Sequence, residues 1–238
     1  MTAGKDTVAG PVTTEAGGLG ATRVVALCAA LLGVVALALG GPSLMGAVTA
    51  LRANSLLAGA EKGESPAPEL LETLVESSYA ASIWHGDSRV WFATGLARLA
   101  SAKLEMEDEG LHRRLLDRAI FALDRGLAMS PSNSIGWMSM GEALLMRAGA
   151  SPRAARALRM SVLTAPVAPE YAVRRLELLL KLWDVYDSDG RAMIVEQALI
   201  ARRNGKTAEA VDRLLATAEG EPLAQAIEPA AAPGAAIR

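Results

Sequence analysis

The stretch WDVYDSDGRAMIVEQ, Trp183 to Gln197, places oxygen donors where a cation could be held. Asp187, Asp189, Gly190 and Glu196 follow the spacing of a loop that wraps calcium in carboxylate and carbonyl oxygens. The first ligand position holds Val185, which removes one carboxylate and one charge. The reading is therefore a polar turn in which Gly190 ends one helix and Asp189 starts the next, and no metal site is expected.

The other reactive residue types are scattered. His85 and His112 lie apart, His85 has only Asp87 beside it, and both read as solvated loop residues. Cys28 is the single cysteine and sits in an apolar run, which rules out an intramolecular disulfide. Glu105, Glu107, Asp108 and Glu109 form one acidic run, the pattern of a solvated turn rather than a catalytic pair. No Ser, Cys or Lys stands in a nucleophile motif, and no glycine-rich phosphate loop follows a strand. No catalytic, cofactor-binding or metal-binding residue is expected, and the chain does not read as an enzyme. Arginines recur at Arg113-Arg114, Arg153, Arg156, Arg159, Arg174-Arg175 and Arg202-Arg203. They read either as a solvated face paired with nearby acids or as contacts to an anionic polymer or lipid head group.

The elements that would carry these residues are helical. The 238 residues are 51% hydrophobic and only 4% aromatic, rich in the Ala, Leu and Arg that helices favour. A net charge of -2 gives no strong field toward nucleic acid. From Val24 to Ala50 the chain has no charge, and about 20 apolar residues span a bilayer core. The expected layout is a disordered cytoplasmic tail at 1–21, a transmembrane helix at 22–50 that kinks or ends near Pro42, and a linker at 51–67. A cleaved signal peptide is the competing reading, because VTA before Leu51 suits a peptidase. Arg23 and Lys5 on one side nearly balance Arg52 and Lys62 on the other, and Arg23 at the membrane edge favours an inside N-terminus. A helical domain at 68–222 and a disordered tail at 223–238 follow. Its first helix, Pro68 to Ile83, carries Leu70, Leu71, Leu74, Val75 and Tyr79 on one stripe and would cap the rest.

Within that domain one spacing recurs. Ala119, Leu123, Gly126 and Pro131 are matched by Ala154, Leu158, Ser161 and Pro166, and again by Ala210, Leu214, Thr217 and Pro222. Trp91 precedes Gly95 by four residues as Trp137 precedes Gly141, with Ile194 and Ala198 in the third copy. Small residues let two helices approach, the large residue fills the gap, and proline ends the pair. Ser130-Pro131 stops one helix and Ser134 is the expected cap of the next. This pattern resembles the tetratricopeptide repeat. The resemblance implies stacked antiparallel helix pairs in a tetratricopeptide-like α-solenoid, and behind the transmembrane helix read from the apolar run the expected fold class is all-α. Two departures stand out: extra residues around Lys103 to Leu111, and an additional helix from Pro169 to Tyr186.

The run ALRMSVLTAPVAPEYAVRRLELLLKLWD is also similar to membrane-anchored helical proteins associated with bacterial polysaccharide synthesis and export. That resemblance implies a scaffold or accessory role. The expectation is a single-pass protein of the bacterial inner membrane whose domain faces the periplasm and binds other membrane or envelope proteins. A cytoplasm-facing adaptor and an enzyme acting on cell-wall glycan are the alternatives. Nucleic acid is not an expected partner.

Overall fold

The computed structural model describes residues 27, 29–34 and 87–231, with side chains described as far as Glu228. The chain divides into two units, Met1–Leu44 and Met45–Arg238. In the first unit, residues 27 and 29–34 are helical, and Leu27, Leu31, Leu32 and Val34 are exposed. No helix among the described residues is long and apolar enough to cross a membrane. The remainder of the expected transmembrane helix, the 1–21 tail, the 51–67 linker and the Pro68 to Ile83 helix lie outside the described residues, as do Trp84 and His85.

The second unit is all-helical over its described residues. Its helices are α1 (Ser88–Leu104), α2 (Glu109–Met129), α3 (Ser134–Ala148), α4 (Pro152–Thr164), α5 (Ala172–Leu180), α6 (Ser188–Arg203), α7 (Ala208–Leu215) and α8 (Glu221–Ala231). Local chemistry sets most boundaries. Asp108 caps α2 by accepting the Leu111 N–H at 2.9 Å. Ser130-Pro131 follows the end of α2 and Ala165-Pro166 the end of α4, where the missing proline N–H and the ring deny a further turn. Ser151 caps α4, and Pro152 takes the first helical position, where no N–H is needed.

α1/α2 and α3/α4 form two successive hairpins with the same internal contact. A Cβ built on Gly95 would stand 2.6 Å from Leu123 Cγ, and one on Gly141 would stand 2.6 Å from Leu158 Cγ. Only glycine lets each leucine seat against the opposing backbone. Ala119, Leu123, Ala154 and Leu158 are fully buried, and each buried leucine contributes roughly 2 kcal/mol of transfer free energy. Phe92 from α1 wedges between Gly126 of α2 and Gly136 of α3, so the first hairpin is keyed to the second. Trp137 is half-buried and donates from Nε1 to the Pro131 carbonyl at 2.8 Å, tying α3 back over the proline break. Trp91 meets Phe121 edge-on at 6.0 Å.

Several expectations need correction. The cap of α3 is Asn133, whose Oδ1 accepts the Gly136 N–H at 2.6 Å; the Ser134 hydroxyl instead pairs with the Tyr171 hydroxyl. The extra residues of the first copy lengthen a helix rather than a loop. α2 begins fourteen residues before Leu123, whereas α4 begins six before Leu158. The Pro169 to Tyr186 segment is helical only over Ala172–Leu180 and then runs in turns to Tyr186. Asp187, not Asp189, starts α6, and Gly190 lies buried within that helix against Tyr186 rather than ending the preceding one.

The third copy also departs from its pattern. α7 ends at Leu215 and buries Val211, while Ala210 and Leu214 are half-buried. Pro222 does not terminate it but sits in the first turn of α8, where proline is tolerated. The expected disordered tail at 223–238 is corrected at its start. Glu221–Ala231 is helical, and Leu223 and Ile227 are buried in the core.

Candidate interaction groove

α1 contacts α3, and α3 contacts α5, so the three lie side by side. Glu142 of α3 sits among them with only 6% of its surface exposed. Lys103 of α1 approaches its carboxylate to 2.8 Å, and Arg174 of α5 donates to the same oxygen. Arg174 also donates to Glu177 Oε2 at 2.7 Å, one turn along α5. Burial alone would raise the Glu142 pKa; Lys103 and then Arg174 outweigh it and hold the carboxyl below its ordinary value. One carboxylate thus locks three helices. Both cations are partly solvated and meet the same carboxylate oxygen, which offsets the cost of burying the anion.

This cluster forms one wall of a groove of about 390 Å³, completed by Leu145, Met146, Leu178 and Lys181. Lys181 also lies on a second hollow of about 440 Å³, with Glu177, Leu214 and Thr217. Lys181 makes no ion pair among the described residues. The groove therefore offers apolar patches beside a free ammonium. The lining offers apolar contact and one charge, with no nucleophile paired with a base among the lining residues. Among the described residues no group of three His, Cys, Asp or Glu side chains could hold a metal ion. Asp187, singled out by its spacing, uses its carboxylate to cap α6.

The sequence-selected packing residues fall elsewhere. Gly95, Ala119, Leu123, Gly126, Gly141, Ala154 and Leu158 are buried at the helix interfaces, Trp91 and Trp137 are half-buried, and Pro131 and Pro166 lie exposed at the breaks. None of these lines the groove; Leu214, selected in the third copy, lies on the second hollow. Met140 and Leu144, on the same helix as Trp137, are buried too.

Two positions escaped sequence reading. Arg175, grouped with the surface arginines, is 1% exposed. Its guanidinium donates to the carbonyls of Ser161 at 3.2 Å, Ala165 at 2.7 Å and Pro166 at 3.4 Å, to Gln197 Oε1, and lies 5.5 Å from the Tyr171 ring centre. These carbonyls lie at and just past the C-terminal end of α4, where a cation is favoured by the aligned helix dipoles. Burial pushes the Arg175 pKa down, countered in part by Tyr171 and Glu170. A signal existed: Ala172, Arg175, Leu176 and Leu179 share the buried stripe of α5. His112 is the second. It lies in α2, not a solvated loop, and Nδ1 faces the Ala102 carbonyl at 2.8 Å and the Glu105 carbonyl at 2.9 Å. Both partners are acceptors, so that nitrogen carries the proton and closes the end of α1.

No protein-family model, no curated protein and no solved structure matches the chain.

Proposed function

We propose that this protein is a membrane-anchored scaffold whose helical hairpins present the α1/α3/α5 groove to a segment of a partner protein. The observation that carries the reading is the repeated glycine-into-leucine contact, Gly95 on Leu123 and Gly141 on Leu158. Identical hairpin geometry in succession sets the first helices next to one another and leaves a groove along them, the architecture by which helical repeats bind extended partners. The tetratricopeptide-like description belongs to this proposal: the glycine-on-leucine contacts of the two proline-bounded hairpins favour it, and α5 and the short α7 depart from it.

The anchor rests on the charge-free run Val24 to Ala50. The periplasmic side rests on Arg23, and the link to a bacterial envelope assembly, with polysaccharide synthesis or export as its setting, rests on the resemblance of the 157–184 run. A photo-crosslinking residue at Met146 or Leu145, both half-buried on the groove, with a C-terminal reporter active only outside the cytoplasm, tests the reading. Crosslinks from both positions to one membrane or envelope protein, lost in a Lys181→Glu chain, are expected. Crosslinks that are absent, or equal to those from exposed Ala148, overturn the groove as a docking site. A silent reporter overturns the orientation alone.

A further inference from the structure

The arginines of the second helices are arranged differently from the rest. On α2, Arg114, Arg118, Phe121 and Arg125 recur at helical spacing, and all are exposed, Phe121 by 57%. On α4, Arg153, Arg156 and Arg159 are exposed, with Leu163 63% exposed one turn on. None of these six arginines makes an ion pair among the described residues, whereas Lys103, Arg147, Arg174 and Arg202 each do. α4 carries no acid at all. On α2, Glu109 is paired with Arg113 and Asp117 with Arg147, which leaves Asp124. The 35-residue step that places Leu158 where Leu123 stands also places Arg153 at the position of Arg118 and Arg156 at that of Phe121. The cations therefore fall on the same side of successive hairpins, away from the Gly95 and Gly141 contacts that bury the opposite faces.

We infer that this face docks on a bilayer surface carrying anionic head groups. Guanidinium forks match phosphate oxygens in pairs, and Phe121 and Leu163 supply the apolar side chains that settle at the head-group boundary. The bilayer is favoured over a free polyanion because the same chain carries the apolar run read as its anchor, which holds the domain at high effective concentration near one surface. The inference rests on that anchor reading. Docking by the second helices would leave the α1/α3/α5 groove open to a partner.

The test uses the full chain with Cys28→Ser and Ala128→Cys, labelled with a fluorophore and reconstituted in vesicles of phosphatidylcholine alone or mixed with phosphatidylglycerol. Lipids carrying a nitroxide on the head group report proximity. Quenching of the label is expected only with the anionic lipid and is lost at high salt. The Arg118→Gln, Arg153→Gln, Arg156→Gln triple variant weakens the docked state on the order of 100-fold, about fivefold per basic residue near an anionic surface. A control label at Thr217→Cys stays unquenched. Quenching that ignores lipid charge, or survives the triple variant with its helicity intact, overturns the inference. A label whose emission shifts on adding polyglutamate in neutral vesicles, yet stays unquenched in anionic ones, also overturns it and would assign the face to an acidic polymer. Extraction of the unmodified protein by alkaline wash would overturn the anchor; salt-sensitive flotation with anionic vesicles would then still support the docking face.

Discussion

Gly141→Ala is the sharpest probe of the hairpins. In a generic exposed helix the change stabilises, by about 1 kcal/mol, because alanine restricts the unfolded chain and favours helix. Here the new methyl would lie 2.6 Å from Leu158 Cγ, 2.7 Å from Cδ2 and 3.4 Å from the Leu158 backbone nitrogen. Leu158 is fully buried and cannot swing into solvent, so α3 and α4 must separate or the leucine must leave its rotamer. Overpacking of this kind costs about 1–3 kcal/mol. The net expectation is a loss of about 1 kcal/mol, a fall in melting temperature of about 3 °C for a domain of this size. Leu158→Ala alone should lose about 3 kcal/mol through its cavity. In the double variant the alanine methyl fills part of that space, so the combined loss should fall short of the sum by about 1–2 kcal/mol. Gly95→Ala should repeat the single effect, because Leu123 stands at the same distance. Urea unfolding followed by helical circular dichroism measures all of these. A Gly141→Ala protein more stable than the parent, or strict additivity with Leu158→Ala, would refute the close approach and with it the common geometry of the two hairpins.

Three further outcomes follow from the charged and capping groups. Glu142 has a folded pKa below its unfolded value, so its contribution is present above the ordinary 4.5 and lost as pH falls through the lower folded value. Glu142→Gln should therefore destabilise by about 1–2 kcal/mol at neutral pH, discounted for the solvation of Lys103 and Arg174, and should flatten the acid limb of a stability–pH profile. Arg175→Met should cost about 2–4 kcal/mol and speed amide exchange in the last turn of α4 and around Gln197, since those carbonyls lose their donor. Arg175→Lys should not restore it, because a single ammonium cannot serve partners on both α4 and α6. Asp187→Ala should lose about 1 kcal/mol from the start of α6 and leave chain stability indifferent to calcium, as read by thermal unfolding with and without the ion.

The first two hairpins were legible because their signals are local and consistent. Ser130-Pro131 and Ala165-Pro166 stop helices through their own backbone geometry, and the glycine and leucine spacing states which faces meet. The third copy misled because its proline kept the interval while the chain around it chose otherwise. α7 stops at Leu215, Gly220 turns the backbone close against Leu214 and Leu215, and Pro222 then opens α8. An Ala-, Pro- and Gly-rich tail gave no periodic signal strong enough to show that Leu223 and Ile227 would find a core.

Charge was the least legible feature. Arg174 and Arg175 are adjacent and chemically identical in sequence, yet one is exposed and the other buried on α5. One meets Glu142 at the groove rim; the other closes the exposed carbonyls of α4 in the interior. Glu142 reads as one more surface acid until Lys103, 39 residues earlier, and Arg174, 32 residues later, are brought to it. Helix type, breaks and the glycine contacts follow from short-range sterics, which the sequence states directly. Which charge is buried, and against what, depends on the helices that arrive from elsewhere in the chain, and only the tertiary structure decides it.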